Sequence, residues 1–211
     1  MKCGDEGHRY RWEDARGLLD AEGCLQRARY EEGWMMCQAL LWRSQRSWRV
    51  QAVAARTLLE WGKLEGEAHR LRTSIDHFDI ALSLLDAPDE RVDLLNDRGV
   101  ALYELDELEE ARIAFMQTVD LQPRHSRALT NLGLILWAEG SKQQALQMFD
   151  RAVHGRGASN PHALNNRGAL QFELGEAQES LPDFHKALDL DPGYEVARCK
   201  LFASLCCAPN T

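Results

Sequence analysis

The sequence predicts an all-α protein built from a row of helical hairpins. A segment recurs with a period near 34 residues, the same residue types stand at fixed offsets in each copy, and turn-forming residues separate helix-forming stretches. The three copies begin NDRGVALYELDELEEARIAF, TNLGLILWAEGSKQQALQMF and NNRGALQFELGEAQESLPDF. Because a repeat array grows lengthwise, the length of 211 residues sets no number of domains.

The shared positions have a packing reason. A small residue on one helix lets a second helix approach closely, and we expect the glycines to lie at these crossings, opposite a small residue on the second helix. We expect the phenylalanine near the end of each copy to be buried. The shared residues are the glycines Gly99, Gly133 and Gly168, the aromatics Tyr103, Trp137 and Phe172, the small residues Ala111, Ala145 and Ser180, and the phenylalanines Phe115, Phe149 and Phe184.

These copies resemble the tetratricopeptide repeat family, especially the variety that begins Asn-Arg-Gly and ends Leu-Asp-Pro, as at Pro192. The resemblance implies a right-handed superhelical solenoid of antiparallel hairpins, in which the first helix of each hairpin lines a concave groove. It assigns three clear repeats to residues 89–193 and a capping helix with a tail to residues 194–211.

Two looser hairpins are expected over residues 11–88, since Arg56 precedes Trp61 by the spacing seen in the clear repeats. Gly62 and Gly66 are expected to end one helix there, and Gly23 to end an earlier one. Residues 1–10 have no periodicity and are expected to be disordered or frayed.

Turn chemistry supports the hairpins independently. Asp106, Gly140 and Gly175 are predicted to lie between the helices of their units, and Asn160 to cap a helix that starts with proline. Ser141, with a glutamine three residues later, predicts a capping box. Pro182 lies inside a predicted helix and should bend it.

The last predicted helix has more apolar residues than one buried face requires. Val196, Ala197, Leu201 and Leu205 are expected to face inward and Phe202 outward. Since a terminal cap should have a polar outer side, a homodimer through this helix is one hypothesis.

If the family's geometry holds, eleven side chains line the groove. Asp97, Asn131 and Asn166 form a polar ladder able to pair with a peptide backbone. Trp61, Tyr103, Trp137 and Phe172 form an aromatic ladder that offers apolar contact area. Packing against a neighbouring helix is the alternative for both. The residues are Asn96, Asp97, Tyr103, Arg127, Thr130, Asn131, Trp137, His162, Asn165, Asn166 and Phe172. The Lys and Asn with which co-chaperone relatives hold a terminal carboxylate are replaced by Asn96 and Val100, so chaperone-tail binding is not expected.

The formal net charge is −8, and residues 51–125 hold 16 acidic against 8 basic groups. Such a chain repels phosphate backbones, which argues against nucleic acid as a partner. No apolar run is long enough to span a bilayer, and the amino terminus has no apolar core of a secretory signal. A cytoplasmic protein without membrane contact is therefore expected.

The six cysteines have no regular spacing and are expected to be free thiols or apolar fillers. A zinc site from Cys3, His8, Cys24 and Cys37 lacks the close pairs such sites use. We expect no metal, no cofactor and no catalytic residue, since no nucleophile with a base, paired carboxylates or phosphate loop is present.

The sequence thus favours a non-enzymatic interaction module or scaffold that binds a protein partner, as a peptide or a helix, in its groove. Two alternatives stay open: a self-assembling structural element, and a regulatory array belonging to a larger enzyme.

Overall fold

The computed structural model describes residues 6–44, 46–85, 87–155 and 160–207, and the side chains of 14–44, 46–85, 87–155 and 160–206. These residues form eleven helices and no strand, which confirms the all-α prediction. The helices are α1 (Glu6–Gln26), α2 (Tyr30–Arg43), α3 (Trp48–Glu65), α4 (Ala68–Ser83), α5 (Pro88–Glu104), α6 (Leu108–Leu121), α7 (Ser126–Ala138), α8 (Lys142–Val153), α9 (Pro161–Glu173), α10 (Ala177–Leu190) and α11 (Glu195–Cys207).

A residue in the left-handed backbone region marks the turn inside each pair of helices from α1–α2 to α9–α10. They are Ala28, Gly66, Asp106, Gly140 and Gly175, with φ between 55° and 88°. The last three confirm the turns predicted from sequence. Glycine adopts this conformation without steric cost, whereas Ala28 and Asp106 hold it as side-chain-bearing residues.

The chain forms two compact units, residues 1–114 and 115–211. In the first, α2 packs on α1 and α3, α4 packs on α3 and α5, and the first helices α1, α3 and α5 contact one another in order. In the second, α8 packs on α7 and α9, α10 packs on α9 and α11, and α7, α9 and α11 contact in the same way. In each unit the first helices therefore form a continuous row.

The repeat glycines of the second unit lie where two helices meet. A methyl group on Gly133 would stand 2.5 Å from the Phe149 ring, and one on Gly168 would stand 3.1 Å from the Phe184 ring. Both rings are fully buried, as is Phe115, which confirms the expected burial of all three. The glycines are thus needed for close approach, since their backbone angles are ordinary helical ones.

Two helices extend past glycines that were expected to end them. α1 continues through Gly23 to Gln26, α3 continues through Gly62 to Glu65, and only Gly66 of these glycines ends a helix. Residues 6–10 belong to α1 rather than to a frayed segment, and residues 1–5 lie outside the described residues. A helix-interior glycine costs only about 0.5–1 kcal/mol, which tertiary packing outweighs.

One of the two capping predictions is confirmed, and the other holds only in part. Asn160 caps α9 by accepting from the backbone N–H groups of His162 and Ala163, as expected. Ser141 precedes α8, but its hydroxyl makes no capping hydrogen bond. α10 continues through Pro182 to Leu190. Among the described residues, every helix falls short of the length and apolar character that crossing a bilayer requires.

The last helix, α11, turns a different face inward from the one expected. Ala197 is buried, but Val196 and Leu205 are 50% and 52% exposed, so their inward assignment is wrong. Ser204 is buried instead, and its hydroxyl accepts a hydrogen bond from Ser180 of α10. Phe202 is 71% exposed, as expected.

We predict that Gly133→Ala lowers the free energy of unfolding by about 1–3 kcal/mol, because the added methyl collides with a buried ring that has no room to move. Chemical denaturation measures the change. Gly23→Ala is the control: the nearest atom to its methyl is 3.8 Å away, so this variant should be as stable as the parent or up to about 1 kcal/mol more stable. Equal stability of the two variants would contradict the close approach.

Candidate functional site

The eleven predicted groove residues lie on the first helices α5, α7 and α9, but they do not share one environment. Seven are exposed to solvent wholly or in part: Tyr103, Arg127, Asn131, Trp137, His162, Asn166 and Phe172. Four are buried, which corrects their assignment to the groove surface: Asn96, Asp97, Thr130 and Asn165.

The two buried asparagines support the ladder residue that follows each of them. Asn96 Nδ2 donates to Asp97 Oδ1 at 3.2 Å, and Asn165 Nδ2 donates to Asn166 Oδ1 at 3.1 Å. Within the described part of the chain, the Oδ1 atoms of both asparagines have no hydrogen-bond donor. Their side chains therefore orient the neighbouring ladder residue and do not reach a ligand themselves.

Thr130 occupies the equivalent place in the middle repeat, but its side chain makes a different hydrogen bond. Its hydroxyl donates to the Ser126 carbonyl oxygen, one turn earlier in α7, at 2.8 Å. Asn160 Nδ2 also donates to Ser126 Oγ at 3.2 Å. Thr130 thus belongs to the packing between α7 and the start of α9.

The three ladder residues, Asp97, Asn131 and Asn166, differ in how many of their hydrogen-bonding atoms already have a partner. Asp97 accepts from Asn96 at one oxygen and from Arg56 Nε at the other, 2.7 Å away, so both oxygens have partners. Asn166 has its oxygen occupied by Asn165, which leaves its two N–H donors. Asn131 is half-buried, and its amide makes no hydrogen bond to any described residue. The open ladder is therefore Asn131 and Asn166, both in the second unit.

Trp137 is the aromatic with the most contacts at this surface. Its ring meets Phe149 edge to face, with centroids 6.2 Å apart, and its Nε1 donates to Glu173 Oε2 at 2.7 Å. Lys142 Nζ lies 2.6 Å from the other oxygen of Glu173. The hydrogen bond from Lys142, followed by that from Trp137, holds the pKa of Glu173 below its ordinary value.

The other aromatics are less constrained. Phe172 is half-buried and Tyr103 is exposed. Trp61 lies under the guanidinium of Arg70, 3.8 Å from the ring centroid, which occupies one of its faces. His162 is exposed, with Nδ1 3.0 Å from the Tyr194 hydroxyl, and burial raises the pKa of Tyr194.

The arrangement is that of repeats seen in proteins of known structure. The family model described as "Tetratricopeptide repeat" matches residues 96–161 and 143–195. Over these residues the chain is similar to tetratricopeptide repeat proteins. No curated protein matches the chain in sequence.

Solved structures, tetratricopeptide repeat proteins among them, share the fold at low identity. TTC0263 from Thermus thermophilus superposes with a TM-score of 0.70 at 15% identity, covering 92% of this chain and 99% of that one. Pseudomonas aeruginosa pilF gives 0.69 at 18%, covering 90% and 88%. YrrB, described as "a TPR protein with an unusual peptide-binding site", gives 0.57 at 18%, covering 87% and 89%.

The arginine that precedes the repeat glycine binds carboxylates between helices. Arg98 Nε donates to Asp79 at 2.6 Å, and Arg167 donates to both oxygens of Asp183 at 2.6 Å and to Asp150 at 2.9 Å. Asp79 and Asp150 each follow a buried phenylalanine in the sequence, and this shared position was a signal that sequence reasoning missed.

A cavity of about 410 Å³ lies between the first helices α1 and α3 and was also missed. Its walls are mostly apolar, with Glu22, Arg49 and Arg56 as the charged residues. The apolar residues recur at helical spacing in each segment, which was the available signal. The cavity is lined by Ala15, Leu18, Leu19, Glu22, Trp48, Arg49, Ala52, Val53 and Arg56.

The described residues contain no group of three side chains able to hold a metal ion. Of the four zinc candidates, Cys24 and Cys37 are buried, and burial raises the pKa of Cys37 to about 12. Cys3 and the side chain of His8 lie outside the described residues.

We predict that Arg56→Met destabilises the first unit by about 1–3 kcal/mol, because the mostly buried Asp97 carboxylate loses its cationic partner. Urea unfolding followed by circular dichroism measures this loss. Arg49→Met is the matched control on the same helix, since exposed Arg49 makes no ion pair with any described side chain. If both variants unfold at the same urea concentration as the parent, the pair has no structural role.

Proposed function

We propose that this chain is a non-enzymatic interaction module that holds a protein partner, as an extended peptide or a helix, against the first helices of its second unit. The observation that carries the proposal is the pair Asn131 and Asn166, at equivalent places on α7 and α9, whose amide donors are unused by described residues. An amide can pair with peptide backbone whatever the side chains of the peptide are.

The surroundings of these amides support the same function. Trp137 and Phe172 stand six residues after Asn131 and Asn166 and are half-buried, so they offer apolar area on the same first helices as the polar donors. Aromatic residues supply much of the binding energy at protein interfaces. YrrB, described as having a peptide-binding site, shares the fold. Amides and aromatics bind and position a chain but are not nucleophiles or general bases, so they favour binding over catalysis.

The net charge of the chain supports a class of partner, and its exposed cysteine thiols support a compartment. The net charge of −8 favours a protein over nucleic acid or an anionic membrane surface. Cys199 and Cys206 are free and exposed, which suits a reducing compartment. We therefore assign the protein to the cytoplasm.

The test removes both amides. The double variant Asn131→Ala, Asn166→Ala should bind a peptide selected from a random display library about 10- to 100-fold more weakly, because each lost hydrogen bond costs about 0.5–1.5 kcal/mol. Fluorescence polarisation with the labelled peptide measures the dissociation constant, and a thermal melt of the same sample measures stability.

Gln147→Ala is the matched control, since it removes an exposed amide from the second helix α8. It should bind like the parent. A double variant that melts normally and binds with unchanged affinity would remove Asn131 and Asn166 from the site. One that binds less only because it melts several degrees lower would show that the amides stabilise the fold.

The apolar face of α11 favours a second candidate function, which is self-assembly. Phe202 is the eighth residue of α11, as Gly133 and Gly168 are of α7 and α9. A phenylalanine at this position fills the space that a glycine leaves open. A second helix therefore cannot pack against α11 as closely as α8 packs against α7. Phe202, Leu205 and Val196 stay at least half exposed, and two copies could cover this face in a two-fold dimer.

We predict that Phe202→Glu reduces dimerisation and leaves the helical circular dichroism intact, because the side chain is 71% exposed. Light scattering after size exclusion measures the mass. Ile113→Glu is the control, since Ile113 is an apolar residue of α6 with 54% exposure. A parent protein that is monomeric at high micromolar concentration contradicts self-assembly.

A further inference from the structure

The outer face of α2 is apolar, where a helix on a protein surface usually presents polar side chains. Met35 and Trp42 are 55% and 84% exposed, and Ala39 between them is exposed as well. These three residues lie within about 60° of one another around the helix axis. The buried residues of α2 lie on the opposite side of it: Gly33, Cys37 and Leu40. Trp42 therefore contributes little to the packing of α2 against its neighbours.

Arginines follow this apolar stripe in the sequence. Arg43 is the last residue of α2 and Arg46 lies between α2 and α3, and both are exposed. Neither makes an ion pair with a described carboxylate. Residues 33–59 contain four arginines and no lysine, aspartate or glutamate, although the chain as a whole has 33 acidic residues. The carboxyl end of α2 thus carries local positive charge on a chain whose net charge is −8.

The described backbone after α2 is held by hydrogen bonds. The backbone N–H of Ser44 donates to the Leu40 carbonyl oxygen at 2.7 Å, and that of Ser47 donates to the Ser44 carbonyl oxygen at 3.0 Å. The Ser44 hydroxyl also donates to Asp14 of α1 at 2.7 Å. A backbone that is already held in the free protein has less entropy to lose when a partner binds.

The residue types on this surface are those of a protein interface. Tryptophan, methionine and arginine are enriched at such interfaces, whereas lysine and the acidic residues are depleted. Tryptophan and arginine are also prominent among the residues whose truncation costs most binding energy. Surfaces that bind phosphate backbones or anionic lipids use lysine as well as arginine, and residues 33–59 have no lysine. The composition therefore favours a protein partner.

The polar groups that this surface offers are side-chain donors and not backbone groups. α2 satisfies its own backbone hydrogen bonds, so an extended peptide lying on it would find no backbone partner. A helical partner satisfies its own backbone, and the small Ala39 between Met35 and Trp42 lets such a helix approach closely. The guanidinium groups of Arg43 and Arg46 match carboxylates at one end of that helix.

We propose that the outer face of α2, formed by Met35, Ala39, Trp42, Arg43 and Arg46, binds an amphipathic helix of a partner protein. The partner helix carries an apolar stripe with Asp or Glu residues at one end. This face belongs to a second helix of the first unit, whereas the open ladder lies on first helices of the second unit. Binding at α2 therefore does not depend on the open ladder.

The experiment uses a display library of a small helical scaffold protein, with one outward helix face randomised, selected on the intact protein. Surface plasmon resonance gives the dissociation constants of the enriched binders. Trp42→Ala should weaken their binding about 10- to 100-fold, because truncation of a central tryptophan removes much of the binding energy of an interface.

The charges are tested on both sides of the contact. Changing the Asp and Glu residues of a binder to Asn and Gln should weaken binding about 3- to 10-fold. The double variant Arg43→Gln, Arg46→Gln should lose the same factor with the acidic binder. It should no longer distinguish the acidic binder from the neutral one, since the carboxylates then have no partner.

Two control variants remove similar groups elsewhere in the first unit. Leu64→Ala truncates an apolar side chain that is 73% exposed, and the pair Arg16→Gln, Arg27→Gln removes two exposed arginines. Both should bind like the parent. Trp42→Ala should melt at the temperature of the parent, because substitutions of exposed residues rarely change stability.

Four outcomes would overturn the inference: a library without binders, enriched binders that keep their affinity for Trp42→Ala, binders whose carboxylates are all dispensable, and a lower melting temperature for Trp42→Ala. The double variant Asn131→Ala, Asn166→Ala should bind the scaffold like the parent. The inference can therefore fail while the peptide-binding function stands, and the reverse also holds.

Two further measurements test other occupants of this face. Light scattering compares the mass of the parent with that of Trp42→Ala, and flotation measures binding to vesicles of phosphatidylcholine and phosphatidylserine. Neither self-association nor vesicle binding should depend on Trp42. An assembly, or binding to vesicles, that Trp42→Ala abolishes would assign the face to a second copy or to a membrane and overturn the inference.

Discussion

The close approach of paired helices at a glycine is the constraint on which the second unit depends. At Gly133 there is no space for a methyl group beside Phe149, so the register of α7 against α8 is set by one contact. The same contact orients the rest of the first helix, because successive residues turn by about 100° around a helix axis. A residue two positions earlier points away from the second helix, and there Asn131 and Asn166 stand.

This geometry explains why the sequence predicts the fold, and why it predicts only some of the groove residues correctly. Glycines, turn residues and phenylalanines recur because each has a fixed partner within its own hairpin. A residue three positions before the glycine is turned by only about 60° from it, toward the second helix. Thr130 and Asn165 occupy that place and are buried. Counting the turn of the helix would have separated them from the ladder residues beside them.

Other features were beyond the sequence because they depend on distances between segments far apart. Arg56 binds Asp97 across 41 residues, and no local pattern marks either of them as a partner. The helix boundaries at Gly23 and Gly62 were misplaced for a related reason: local propensity is weak, and packing against neighbouring helices decides whether a glycine is tolerated. On α11, no described helix covers the positions that a second helix covers in the other hairpins, so Val196 and Leu205 are exposed.

The order of side chains along the open ladder has a consequence for the direction of a bound chain. A row made only of free amides is nearly indifferent to direction, because each amide can donate to a carbonyl and accept from an N–H. In the second unit this symmetry is broken at Asn166. Its amide oxygen already accepts one hydrogen bond from Asn165, whereas the amide of Asn131 makes no hydrogen bond to a described residue. If a strand lies along α7 and α9 as proposed, it would therefore meet different partners when reversed, and this surface would distinguish one end of a peptide from the other.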